Sequence, residues 1–105
     1  MDLEQRRLEL HEKLCSILGS RNCYFQPDEN IKLKYPCIVY KRDAGSTIHA
    51  DDNKYRYVPE YTTTVIDRDP TSSIPERIFE EFRMSRFERS FVSDNLNHTV
   101  INIFY

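Results

Sequence analysis

The spacing of apolar residues predicts a helix near the start of the chain. A helical period of 3.6 residues joins four apolar positions on one face, Leu3, Leu10, Leu14 and Ile17. Charged residues lie on the opposite face, and Gly19 follows where such a helix would end. We therefore expect an amphipathic helix over about residues 2–18, then a connection over residues 19–34 that holds a short extended piece around residues 22–25.

Two later stretches have the periods of β-strands. Residues 34–43, KYPCIVYKRD, place apolar side chains on both faces, which predicts a strand covered on both sides, with Pro36 at the strand start or on an edge. Residues 55–69 are rich in Tyr, Thr and Val, and they alternate so that Tyr61 and Val65 share one face. This pattern predicts the longest strand, interrupted or bulged near Pro59.

A loop and a second helix are expected around these strands. Residues 44–54 combine a glycine, acids and amides without periodicity, which predicts a mobile, hairpin-type loop. Ser73 and Glu76 have the spacing of a capping box, and Pro75 suits the first turn of a helix. That helix should run to about Phe82 and bury three apolar side chains, namely Ile78, Phe79 and Phe82.

The final segment predicts two strands, residues 85–92 and 98–105, joined across the turn formers of residues 93–97. In the first of them, alternation favours one face in the core and the other in water. The second is so apolar that it must be central, covered or joined to another subunit, since an open edge of this kind invites pairing.

The order of elements predicts the fold class. Helix, two strands, helix and two strands indicate one α/β or α+β domain over residues 1–105, with residues 1–18 as its N-terminal helix. We expect two layers, a mainly antiparallel sheet of about four strands with two helices packed on it.

Composition and charge narrow the classes of function. Fifteen basic residues nearly balance seventeen acidic ones, so no overall field draws nucleic acid or an anionic membrane to the protein. The start of the chain lacks the apolar core of a signal peptide, from which we expect a protein kept in the cytosol. Cys15, Cys23 and Cys37 lack C-x-x-C spacing, which favours reduced, partly buried thiols.

Two groups of residues have the chemistry of metal ligands. Asp67 and Asp69 would point the same way on a strand and could share Mg²⁺ or Mn²⁺. The other group is His49, Asp51 and Asp52. The sequence contains neither G-x-x-x-x-G-K nor G-x-S-x-G, and a strand-to-helix turn accounts for the first pair. We expect no enzyme, metal or cofactor, and keep a small metal-dependent nuclease using Asp67 and Asp69 as an alternative.

Arginine and phenylalanine alternate over residues 83–91, as they do in some single-strand nucleic-acid binders. A half-buried strand produces the same alternation, so we expect no sequence-specific nucleic acid as a partner. The residues that this alternative would use are Arg83, Arg86, Phe87, Arg89 and Phe91.

Three stretches resemble a known family. Residues 34–43, residues 61–70 (YTTTVIDRDP) and residues 87–105 (FERSFVSDNLNHTVINIFY) are similar to small neck proteins of long-tailed bacteriophages, the tail completion or tail terminator proteins. The similarity covers about residues 25–105, and its most specific parts are VIDRDP and SDNLNHTV.

The resemblance implies a virion structural protein that assembles in the host cytoplasm. Such proteins form a ring, commonly of six subunits, that caps the tail tube and joins it to the head connector. The implied partners are other copies of the chain, the tail tube protein and a head connector or head-completion protein, with no membrane. A head-side connector or minor capsid protein is the alternative in the same virion.

The resemblance also implies structural or interface roles for residues in the two specific stretches, Asp67, Arg68, Asp69, Asp94, Asn95, Asn97 and His98. To these we add His49, Asp51 and Asp52 of the loop. In a ring the contact between subunits is heterologous, so Arg68 of one subunit can face Asp51 or Asp52 of its neighbour.

Overall fold

In the computed structural model, five strands follow the first helix, and a second helix precedes the last two strands. The structure describes residues 2–43, 46–49 and 55–105, and for residues 46–49 and 55–57 it describes the backbone alone. The elements are α1 Leu3–Leu18, β1 Cys23–Phe25, β2 Cys37–Arg42, β3 Ser46–His49, β4 Tyr55–Val58, β5 Glu60–Asp67, α2 Ile74–Glu81, β6 Ser85–Ser93 and β7 Leu96–Phe104. Within these ranges, no helix has the length and apolar character needed to span a membrane.

Five strands form the main sheet, in the order β1-β2-β5-β7-β6. Only β1 and β2 are parallel, and the other three neighbouring pairs are antiparallel. β3 and β4 form a separate two-stranded antiparallel sheet. The predicted α+β fold is confirmed, with five strands instead of about four, because the extended piece near residue 23 pairs with β2 as β1.

The core lies between one face of this sheet and the two helices. It includes Leu10 and Leu14 of α1, Ile78 of α2, and alternate side chains of the strands, among them Ile38, Tyr40, Tyr61, Val65, Ile101 and Ile103. β7 lies between β5 and β6, so the apolar last strand is central, as expected. The break at Pro59 is confirmed as well, since it separates β4 from β5.

Both ends of α1 agree with its sequence. Asp2 caps the helix by accepting a hydrogen bond from the Gln5 N–H (2.8 Å), and Gln5 Oε1 accepts one from the Asp2 N–H (3.3 Å). Gly19 has a φ of +81° and donates its N–H to the Cys15 carbonyl at 2.9 Å. The helix therefore ends where the left-handed backbone conformation requires a glycine.

The capping box predicted for α2 is wrong. Ser73 has a helical backbone conformation (φ −85°, ψ −4°), and its side chain makes no cap hydrogen bond. Its hydroxyl instead accepts from Arg77 at 2.9 Å, while the Ser72 hydroxyl accepts the Ile74 N–H at 3.3 Å. Arg77 also donates to the Ile17 carbonyl at 3.0 Å, which joins α2 to the end of α1.

Three further expectations need correction. β5 has eight residues and is not the longest strand, because β6 and β7 have nine each. The expected loop over residues 44–54 contains strand β3, and the mobility predicted for its remainder concerns residues 44, 45 and 50–54, outside the described residues. β6 is not half-buried, since every residue after Ser85 is exposed.

All three cysteines are free thiols buried in the fold. Burial is also the main reason that the pKa of the Cys37 thiol is raised to about 11, with a smaller contribution from the charge of Asp67. The sequence predicted reduced, partly buried thiols, and the structure buries all three free thiols more completely than that.

Candidate functional site

The Asp-Arg-Asp stretch forms the corner between β5 and α2. Asp67 Oδ1 accepts the Asp69 N–H at 3.0 Å, and Asp69 Oδ1 accepts both the N–H and the hydroxyl of Thr71 at 2.9 Å. These are Asx-turns, in which the side chain of an aspartate accepts a hydrogen bond from the backbone N–H two residues later. The hydrogen bonds from Thr71 lower the pKa of the Asp69 carboxyl. Both carboxylates are thus engaged in shaping the corner.

The corner is tied to the β6–β7 hairpin. Asn97 Nδ2 donates to the carbonyls of Asp67 and Arg68, both at 3.3 Å, and Asn97 is a β7 residue that pairs with Asp67. The hairpin turn itself is Asp94-Asn95, with φ values of 53° and 62°. Two consecutive positive φ values suit the tight turn that joins antiparallel strands. Asn97 therefore belongs to a strand, although the sequence placed it in the turn.

The expected interface residues divide between the two ends of the sheet. Asp67, Arg68 and Asp69 lie at the same end as Asp94 and Asn95, which we call the corner end. β3 and β4 leave the sheet at the other end, where Arg42 pairs with Tyr61. His49 is the last residue of β3, with a side chain outside the description, and Asp51 and Asp52 lie outside the described residues.

Among the residues that the structure describes, no three His, Cys, Asp or Glu side chains come together in a group that could hold a metal ion. Arg68 is exposed at the corner, where its guanidinium lies 5.9 Å from the centre of the Tyr35 ring. The corner therefore presents a cation beside an aromatic ring, with its two carboxylates already bonded to backbone.

A second surface follows the β6 strand, and the sequence did not predict it. The described residues include seven exposed large apolar side chains, and four of them lie on or just before β6. We call Met84, Phe87, Phe91 and Val92 the β6 edge surface. Phe87 and Val92 are 55% and 68% exposed, on the outermost strand of the sheet.

The β6 edge surface is apolar on both faces of the strand. Phe87 pairs with Ile101 and Val92 with Asn97, which places them on the face that carries the helices, while Phe91 pairs with His98 on the other face. Among the described residues, α2 is the main element other than β7 that packs against β6, and it does so sparingly. A half-buried strand has apolar residues on one face only. The adjacent apolar pair Phe91-Val92, whose side chains point to opposite faces, was therefore the feature of the sequence that could have indicated this exposed surface.

The arginine and phenylalanine side chains of β6 do not form one platform. Phe91 stacks on His98 with ring centres 4.6 Å apart, and the Arg89 guanidinium lies 5.4 Å from the Phe91 ring. Arg86 lies over Phe104 at 5.8 Å and 3.7 Å from a carboxylate oxygen of Glu60. Since Phe87 points to the opposite face, the five residues proposed for nucleic acid are divided between two faces.

A shallow groove of about 400 Å³ lies over β2 and β5, lined by Gln26, Pro27, Val39, Tyr40, Lys41, Arg42, Thr62 and Thr64. Arg42 donates to the Tyr61 hydroxyl at 3.0 Å, and the Thr62 hydroxyl donates to Asp43. Most polar groups at the groove are therefore hydroxyls or groups that already have a hydrogen-bond partner. They give no reason to assign a ligand.

Comparison with known proteins identifies no relative. A scan against protein-family models finds no match, and searches of curated proteins and of solved structures find none either.

Proposed function

We propose that the chain is a phage virion protein of the head–tail junction, whose copies form a ring that terminates the tail tube and joins it to the head connector. The setting comes from the sequence resemblance of residues 25–105 to tail completion proteins. The observation that carries the proposal is the β6 edge surface, which gives a free strand edge and apolar side chains to one subunit.

β6 is the outermost strand of the main sheet, and no described strand lies on its outer side, so another chain can pair with it. Its outward N–H and C=O groups have no strand beside them, and the apolar side chains around them gain free energy when they leave water. Soluble monomers commonly blunt such edges, and β6 has a bulge between Phe87 and Arg89 together with charges at Arg86, Glu88 and Arg89. These features restrict which partner strand fits, as a specific assembly contact requires.

Deletion of the gene in the phage that encodes the protein tests the biological role. Electron microscopy should show tails of abnormal length or tails free of heads. Tails of normal length beside defective heads would favour the head-side connector or minor capsid protein. Normal virions would contradict both versions of the proposal.

Variants of the β6 edge surface test the observation itself. The double change Phe87→Ser with Val92→Thr should weaken self-association about tenfold or more, because it removes apolar area from the contact. Leu8→Ser is the matched control, since Leu8 is an exposed apolar residue (47%) on α1. Sedimentation velocity measures the association, with circular dichroism to show that the fold is intact.

Complementation of the deletion phage covers the case in which the free chain stays monomeric until it meets a tail. The wild-type gene and Leu8→Ser should restore virions, and the β6 double variant should not. Restoration by a well-folded double variant would show that β6 is not the assembly contact.

A further inference from the structure

We infer that the arm formed by β3 and β4 of one copy adds a strand to β6 of the next copy, along Arg89–Ser93. This inference rests on the proposed function, because it names the contact through which copies of the chain join. It assigns a donor and an acceptor to opposite ends of the same molecule.

The donor is a two-stranded sheet that is separate from the main sheet and is anchored to the fold by the buried Val58 at the end of β4. β3 and β4 pair over four residues each, from Ser46 with Val58 to His49 with Tyr55. Within the described ranges, neither strand packs closely against any element other than its hairpin partner. Two-stranded hairpins are marginally stable in water, and a third strand or a packing surface stabilises them. The arm therefore gains most from an added strand.

The acceptor is the half of β6 beyond its bulge. The register shift between Phe87 and Arg89 divides the strand, and Arg89–Ser93 then pairs without interruption with β7. These five residues match the four-residue strands of the arm in length. A β6 strand of another copy is nine residues long, and its own bulge would limit continuous pairing to the same five residues. The arm therefore fits the acceptor in length as well as a second β6 does.

The exposed side chains of the acceptor favour a partner that covers both faces of β6. Phe91 and Val92 point to opposite faces of the sheet, and both are exposed (42% and 68%). The side chains of an added strand alternate between the same two faces, so a single strand shields both residues. A partner that packed on one face alone would leave one of them in water.

The donor and the acceptor lie at opposite ends of the molecule. The arm leaves the sheet beyond Arg42, whereas Ser93 precedes the hairpin turn at the corner end. The molecule measures 48 Å along its long axis and 24 and 22 Å across it. Because each copy has its donor at one end and its acceptor at the other, the contact is heterologous. Such contacts close into rings or continue as helical filaments.

Cysteine cross-linking tests the contact directly. We would combine Ser90→Cys in the acceptor with Thr47→Cys in the arm, and separately with Tyr57→Cys, because Thr47 and Tyr57 face each other on the two arm strands. Residues on neighbouring strands fall within the Cα separation that a disulfide allows. The native cysteines are buried and remain in place. Mild oxidation of the full chain, free in solution and in virions, precedes a non-reducing gel.

At least one double variant should give a ladder of dimers, trimers and larger species, because every copy then has one cysteine at each end. The single variants are the controls. Dimers from Ser90→Cys alone would mean that β6 pairs with itself, and dimers from an arm cysteine alone would mean that arms pair with each other. Either result would overturn the inference.

The test separates this inference from the proposed function. Absence of a ladder in both double variants, while the chain assembles and restores virions, would remove the arm contact and leave the function standing. Normal virions in the deletion phage would remove the function. Thermal unfolding of each variant shows whether it is folded before its gel is interpreted.

Discussion

At the scale of single residues, the carboxylate of Asp69 has a measurable link to Thr71. Two hydrogen bonds from Thr71 stabilise its charged form and lower its pKa. A carboxyl whose pKa is lower in the folded state than in the unfolded state stabilises the fold above its ordinary pKa of about 4. That contribution is lost as the pH falls through the lowered value.

Replacement of Thr71 by Val should raise the pKa of Asp69 toward its ordinary value, because it removes the hydroxyl donor and keeps the N–H. An NMR titration of the carboxyl carbons measures this change. The pKa of Glu12, which a hydrogen bond from Arg21 lowers elsewhere in the molecule, should stay constant as the internal control. An unchanged pKa of Asp69 would show that the backbone N–H alone determines it.

Thr63 is the opposite case, a hydroxyl without a partner. Its side chain is fully buried between Tyr40 and Ile101 on the core face of β5, and its Oγ1 makes no hydrogen bond to any group that the structure describes. Burial of an unpaired hydroxyl costs on the order of 1–3 kcal/mol. Thr63→Val keeps the shape and removes this cost.

We expect Thr63→Val to stabilise the fold by about 1 kcal/mol, which corresponds to a rise in Tm of about 5 °C for a domain of this size. Calorimetry measures the change. Thr62→Val is the matched control on the same strand, and it should lower Tm because the Thr62 hydroxyl donates to Asp43. A lower Tm for Thr63→Val would mean that its hydroxyl has a partner in solution.

At the scale of elements, the end of α1 depends on the backbone of Gly19. A Cβ added there would meet no atom within 4 Å, so a substitution is strained by the φ of +81° alone. Gly19→Ala should destabilise the fold by about 1 kcal/mol in urea unfolding, and Gly19→Asn by less, because Asn tolerates this conformation better. Equal stability of all three proteins would mean that α1 ends differently in solution.

The elements that the sequence predicted well have local causes. α1 is bounded by the Asp2 cap and Gly19, and Pro59 separates β4 from β5, so each boundary is encoded within a few residues. β1 was predicted only as a short extended piece and β3 only as part of a loop, because three or four residues carry little periodicity and their partner strands decide whether they form a sheet. The Ser73 capping box failed because Ser73 has a helical backbone conformation where a capping residue is extended, and its hydroxyl accepts from Arg77 instead.

One part of the candidate site, the corner, could be predicted from the sequence, and the other part, the β6 edge surface, could not. The corner role of Asp67 and Asp69 followed from turn-forming residues beside them, and the structure shows both carboxylates bonded to backbone N–H groups. The exposure of β6 was not predictable from alternation, because the sequence does not say how far the helices extend across the sheet. Only the position of α2 in the structure shows that the helix does not cover the side chains of Phe87 and Val92.

At the scale of the whole molecule, charge at the corner end should influence assembly. Arg68 is exposed there, and its expected contact is Asp51 or Asp52 of a neighbour, a pairing that stays a prediction because both aspartates lie outside the described residues. Arg68→Glu should weaken self-association about fivefold, since an exposed ion pair contributes up to about 1 kcal/mol.

Arg68→Gln serves as the graded control for this charge reversal, and it should weaken association less than Arg68→Glu. Sedimentation at low and high salt measures both variants, and added salt should reduce the differences among the three proteins. Identical association of wild type and both variants would exclude a charged contact at this corner.

The central position of β7 has a consequence for the timing of synthesis. β7 follows every other described element along the chain, yet it supplies the strand between β5 and β6. A nascent chain that stops before Leu96 leaves β5 without its neighbour and gives β6 no strand to lie against. The β6 edge surface therefore forms only after β7 has left the ribosome, and prematurely terminated chains lack the contact that we propose for assembly.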